Sequence, residues 1–182
     1  YIWPGVLEDS SRGEYSQGKI SEVLLNNTDS KKELNKVIKG GCVSMGNLPR
    51  IYYGIVRTSV IKKIRKRNNT AFPGPSPDMA NAVAVAIEVN RYLSGDFPVF
   101  IAGNSKNSNA AKGLKKKHVG NLDEQSFLPE NILEIWPKIL PLYWSGPTIW
   151  AASALLVMQK YKYNATKKFN ISLFFAHEFV YN

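Results

Sequence analysis

Residues 72–93, "FPGPSPDMANAVAVAIEVNRYL", limit the fold more than any other stretch of the chain. Pro73, Gly74 and Pro75 lead into Ser76-Pro77-Asp78, which has the chemistry of a helix start. Serine caps, proline is preset for the first helical position, and an acid complements the first turn. Met79, Ala82, Val83, Ala86, Ile87 and Asn90 recur at helical spacing, and Val85 and Val89 extend the apolar surface beyond that face. A helix that is apolar on most sides has to be enclosed, so the remaining elements must be arranged around it. This enclosed helix opens on a carboxylate, Asp78, held behind a rigid turn.

The flanking segments read as helix and strand in alternation. A helical pattern runs through "KISEVLLNNT" from Lys19 and on through "KKELNKVIKGG", stopping at Gly40 and Gly41. Residues 48–57, "LPRIYYGIVR", are rich in β-branched and aromatic side chains and read as a strand. "TSVIKKIRKRN" reads as a short helix with Thr58 as N-cap and Val60, Ile61 and Ile64 on one side. Residues 97–103, "FPVFIAG", read as a short buried strand, and a polar loop follows it. Two further helices are expected, near residues 129–140 and 147–162. The alternation gives an α/β class, divided into residues 1–128 and a helical extension at 129–182.

Composition bounds the function classes. With 44% hydrophobic and 12% aromatic residues among 182, the chain can build a packed core. Its longest clean apolar run, "IWAASALLVM", is about half of the ~20 residues that a membrane span needs. A single cysteine, Cys42, allows no internal disulfide and no Cys-rich zinc site, which makes a reducing cytosol the default compartment. The net charge of +10 points to an anionic partner: nucleic acid, an anionic membrane surface or a phosphorylated substrate. The basic residues fall in separate runs, "KKIRKR", "KGLKKKH" and "KYKYNATKK", each of which also fits a solvated face.

Three constellations carry chemistry. Asp78 is either a first-turn partner of the helix dipole or a general base held at a cleft. The loop from Gly103 lacks the Walker pattern, because Ser108 stands where the second glycine belongs. Its small polar groups, Gly103, Asn104, Ser105 and Ser108, suit a sugar or a phosphate, and equally a plain surface loop. Lys115, Lys116 and Lys117 can neutralise a diphosphate, and the adjacent His118 is a candidate ligand for a divalent metal, though a lone histidine is more often structural or solvated. His177 lacks the second histidine of an H-E-x-x-H site.

In order, "LPRIYYGIVRTSVIKKI", "PGPSPDMANAVAVA" and "FPVFIAGNSKNSNAAKG" resemble bacterial family-two glycosyltransferases of the GT-A fold. The resemblance covers residues 51–113. It implies part of a nucleotide-diphospho-sugar transferase domain, a mixed sheet flanked by helices, with Asp78 as the base that deprotonates an acceptor hydroxyl. It further implies a nucleotide-sugar donor, a glycan acceptor and a divalent cation, Mg or Mn, on the donor diphosphate. Tyr53 stands where many relatives show histidine, and no Asp-x-Asp occurs in the chain. The expectation is therefore an acceptor-side fragment whose nucleotide-binding half and main metal ligands lie elsewhere. It would work in the cytoplasm or at the inner membrane surface, and be inactive on its own. The alternative expectation is a non-catalytic, basic nucleic-acid-binding module.

Overall fold

Asp29 divides residues 25–39 into a strand and a helix, while the start of the helical pattern expected from Lys19, residues 19–23, lies outside the described residues. In the computed structural model, which describes residues 2–3, 13–16, 24–95, 101, 103, 105, 119–125, 128–164 and 168–181, the Asp29 carboxylate accepts the Lys32 amide at 2.8 Å. That bond caps α1 (Ser30–Lys39), which buries Leu34, Val37 and Ile38 and stops at Gly40. The preceding "LNNTD" is a strand, β1 (Leu25–Asp29), where the sequence predicts a continuing helical pattern. Two consecutive asparagines, whose side chains compete for backbone bonds, weaken the helix there.

The two central helices form as expected. α2 (Thr58–Asn68) buries Ile64 and Asn68, with Thr58 one residue inside the N-cap, Arg57. α3 (Pro77–Glu88) starts at Ser76 and has Pro77 in its first turn, and every residue from Met79 to Ala86 is buried. Each fully buried Val or Met contributes about 1.5–3 kcal/mol relative to exposure. The helix ends sooner than its apolar spacing predicts. Val89 is extended, and the Asn90 carbonyl accepts the Ser30 amide at 2.9 Å. β2 (Arg91–Gly95) then pairs antiparallel with β1, from Leu25 opposite Gly95 to Asp29 opposite Arg91.

Residues 48–57 are not a strand, which corrects the sequence expectation. Ile51 to Gly54 form a tight turn, and the Ile51 amide is taken by a side chain rather than by a neighbouring strand. The buried strand expected at 97–103 falls largely outside the described residues; Ile101, within it, is 73% exposed and in no strand.

Further along, β3 (Gly120–Asn121) pairs antiparallel with β4 (Tyr143–Trp144). The helix expected near 129–140 shrinks to α4 (Ile132–Ile135), because Pro137 forces Trp136 into an extended conformation. α5 (Gly146–Lys160) matches its prediction and is closed by a Ser145–Thr148 capping box. α6 (Ile171–Tyr181) lies in the expected helical extension, 129–182, but beyond the last helix that the sequence places within it.

α3 is the hub. It packs chiefly on α5, and also on α1 and α2. Alanines on both helices, among them Ala80, Ala84, Ala151 and Ala154, are fully buried, and their small side chains leave room for close backbone approach. The same hydrophobic core includes Val83 and Ala152, one on each side of residue 128. The class is mixed α/β. Among the described residues both sheets are two-stranded and antiparallel, so the mixed sheet expected from the sequence is not what they form. No helix among them is long and apolar enough to cross a membrane.

Candidate functional site

The start of α3 is held from several sides. The chain enters through Gly74, whose φ of +105° suits only glycine and whose added Cβ would lie 3.0 Å from the Ala80 side chain. The Ser76 amide donates to Ser153 Oγ on α5 at 2.7 Å, and that hydroxyl donates to the Ile149 carbonyl at 2.7 Å. Ser76 does not cap in the usual sense. Its hydroxyl donates to Asp78 Oδ1, which also accepts the Met79 amide at 3.0 Å. Asp78 is half-buried, and Oδ1 is bound into the turn. This is how a first-turn acid serves a helix terminus, and it also fixes the direction in which the carboxylate points.

Asn81 lies three residues on, so it shares a face of α3 with Asp78. It is fully buried. Its Oδ1 accepts the Ile51 amide at 2.9 Å and its Nδ2 donates to the Ala71 carbonyl at 3.2 Å. One buried side chain thus clamps the loops before and after α2. The next residue in each loop carries a ring, and Tyr52 and Phe72 stack with centroids 5.7 Å apart and planes 23° from parallel. Both rings remain partly in water, Tyr52 at 43% and Phe72 at 38% exposure. The first loop is tightly wound: a Cβ on Gly54 would come within 2.4 Å of the Arg50 carbonyl oxygen. Beside it Tyr53 sits at φ +62°, a left-handed conformation that costs a non-glycine residue about 1–2 kcal/mol.

The other end of α3 is laced together. Lys31 donates to the Ala86 carbonyl at 3.3 Å and to that of Ile87, satisfying helix-terminal acceptors, and its ammonium lies 5.9 Å from the Tyr163 ring centre. Burial holds its pKa below the ordinary lysine value against the opposing pull of Glu88 and Asp29. Arg67 lies 3.6 Å from Glu88 and stacks 4.7 Å from the Tyr161 ring centre, while Asn68 Nδ2 lies 3.3 Å from the Tyr161 hydroxyl. Burial pushes the Tyr161 hydroxyl up to about 12.

A third polar cluster joins α6 to α5. Glu178 is 4% exposed; its carboxylate accepts the Tyr143 hydroxyl at 2.6 Å and the Ser145 hydroxyl at 3.0 Å. The carboxylate therefore lies at the N-terminus of α5, where a negative charge is favoured.

Of the residues expected to bind substrate, Gly103 and Ser105 are exposed and outside regular structure. Asn104, Ser108, Lys115, Lys116, Lys117 and His118 lie outside the described residues. Among the described residues no three His, Cys, Asp or Glu side chains converge on a metal position. His177 is exposed on α6. Sequence reasoning passed over Asn81, Tyr52, Phe72 and Ser153. Asn81 had a signal, an amide inside an otherwise apolar helix, whereas the ring pair had none, since its members are twenty residues apart in the chain. Comparison with family models, with curated proteins and with solved structures gave no match to this chain.

Proposed function

We propose that this chain carries the acceptor side of an inverting glycosyltransferase, with Asp78 as the general base. The observation that supports the reading most is the mounting of that carboxylate. It is half-buried, opens a helix whose residues 79–86 are all buried, and is oriented through one oxygen by Ser76 and the Met79 amide. Orientation through Oδ1 leaves the proton-accepting role to Oδ2, so the helix-terminal and basic roles use different atoms. In the proposed step the acceptor hydroxyl oxygen attacks the anomeric carbon of a nucleotide-diphospho-sugar. Its proton passes to Asp78, and the bond from the anomeric carbon to the diphosphate oxygen breaks, its electron pair leaving with the diphosphate. The configuration at that carbon inverts. Lys115, Lys116 and Lys117 are the proposed partners of the developing diphosphate charge. The divalent cation implied by the resemblance is not assigned to any described residue.

The test is to express the open reading frame that contains these residues and incubate its product with a panel of nucleotide sugars, oligosaccharide acceptors and Mg or Mn. Transfer with inverted anomeric configuration is expected. Failure to transfer any donor across the panel would contradict the reading.

A second reading, binding of single-stranded nucleic acid, is favoured by one specific observation. The exposed basic side chains of α2, among them Lys62, Lys63, Arg65 and Lys66, lie on a helix whose flanking loops bring together the Tyr52–Phe72 ring pair. Basic side chains beside stacking rings are the usual means of holding single strands. Binding that weakens steeply with salt would support it, and no binding at low salt would end it.

A further inference from the structure

We infer that α6 is an interfacial anchor whose outward side lies in the headgroup region of an anionic lipid bilayer, with the lysines at its foot meeting the lipid phosphates. The inference is independent of both readings of the activity.

Three observations carry it. First, α6 is turned inside out for a surface helix. Glu178, its only carboxylate, points inward to the Tyr143 and Ser145 hydroxyls, whereas Phe179 is 87% and Val180 84% exposed. Leu173 and Phe175 are exposed as well, and no exposed side chain from Ile171 to Tyr181 is a carboxylate, an ammonium or a guanidinium. A contiguous apolar surface of this kind marks an interaction site. Secondly, the orientation is fixed. Phe174 is fully buried, a Cβ on Gly41 would come within 2.9 Å of its Cα, and one on Gly146 would lie 3.0 Å from the Tyr181 ring. The backbone presses on α6 at both ends, so the helix cannot roll its phenylalanines inward. Thirdly, positive charge stands at its foot. The Asn170 amide donates to the Ile38 carbonyl at 3.4 Å, and Lys168 donates to Asn35 Oδ1 at 3.3 Å. The exposed Lys39 and Lys168 therefore lie on the two segments that meet where α6 begins.

Length and charge decide what covers this face. With 11 residues, α6 is about 16 Å long and ~10 Å across. One such face falls short of the ~800 Å² a side that a stable protein interface takes. A second copy would also bring a further net charge of +10 against the lysines. Nor can α6 span a bilayer, which takes ~20 residues. A helix lying in the plane of the interface needs no such length or area. Its apolar side sinks about 5–10 Å into the headgroup boundary, and lysines beside it are drawn to anionic lipid.

The test floats the chain with vesicles of phosphatidylcholine alone and of phosphatidylcholine mixed with phosphatidylglycerol. Net charge by itself would draw this chain to the mixed vesicles. The deciding variant is therefore Phe179→Gln combined with Val180→Gln, which leaves every charge in place, with unchanged melting by circular dichroism as the check on the fold. Wild type is expected to bind the mixed vesicles more tightly than the neutral ones. The double variant should bind the mixed vesicles about tenfold or more weaker, and Lys39→Gln or Lys168→Gln about fivefold weaker each. No wild-type binding to the mixed vesicles, or binding that the double variant retains in full, would overturn the anchor. So would self-association in sedimentation equilibrium that the double variant abolishes, since the face would then belong to a second copy.

Discussion

The two ends of α3 use their polar groups in opposite ways. At the C-terminal end Lys31, Arg67, Asn68, Glu88 and Tyr161 are turned on one another and on helix carbonyls, tying α1, α2, α3 and the end of α5 into one brace. At the N-terminal end the bracing is done by groups deeper in the fold, Ser153 and Asn81, while the Asp78 carboxylate is half-buried and the two stacked rings stay partly exposed. A brace gains where its groups satisfy one another, and among the buried side-chain atoms of its named members only Asn68 Oδ1 lacks a hydrogen-bond partner. A site has to keep groups available for a second molecule, and it needs rigid support behind them. On the proposed reading, one end of the helix serves structure and the other function.

Substitutions at the two ends should therefore differ in kind. The largest loss of stability is expected from Asn81→Ala, which leaves the Ile51 amide and the Ala71 carbonyl without their partner. The cost should be about 2–4 kcal/mol, with the Tyr52–Phe72 pair coming apart. Chemical denaturation measures the first, and aromatic ring-to-ring NMR contacts measure the second. A smaller loss, about 1–3 kcal/mol, is expected for Gly74→Ala, because φ +105° is strained for any side chain. Smaller again is Arg67→Ala at the braced end. The Arg67–Glu88 pair is 3.6 Å apart and Arg67 is 53% exposed, so about 0.5–1 kcal/mol should be lost, and less at high salt. If Arg67→Ala cost more than Asn81→Ala, the division of labour drawn here would be reversed.

The braced end should also show in alkali. Burial raises the Tyr161 hydroxyl from 10.0 to about 12, so the folded chain holds that proton more tightly than the unfolded one. Its contribution is complete below pH 10 and is lost as pH rises from 10 towards 12. Melting curves across that range should fall less steeply in Tyr161→Phe than in wild type. The buried Cys42 thiol, raised from 9.0 to about 12, adds a decline in the same direction that begins earlier and persists in that variant.

What the sequence revealed follows the reach of the interactions. α3, α5 and the position of Asp78 were legible because serine caps, proline in the first turn and apolar spacing act within one or two turns. The loop at 48–57 was misread as a strand because the partner of the Ile51 amide is Asn81, thirty residues away. β1 was merged into a helix because its pairing depends on residues 91–95, far along the chain. The same distance hid the ring pair, although each ring stood in a segment that had been read. α6 was missed because "ISLFFAHEFVY" is apolar on all sides and offers no periodic contrast. The start of α3 could be read locally, while the contacts that assemble the candidate site join segments that local patterns treat separately.

Asp78→Asn, in the product of the open reading frame that contains these residues, is the most direct test of the functional end. The amide keeps the shape and can still accept at Oδ1, so melting should shift by less than about 1 kcal/mol in equivalent stability. Turnover should fall by roughly 10²- to 10⁴-fold, the usual loss when a general base is removed. Near-normal turnover together with a clear loss of stability would show that Asp78 only caps α3, and would contradict the assignment of function to this end of the helix.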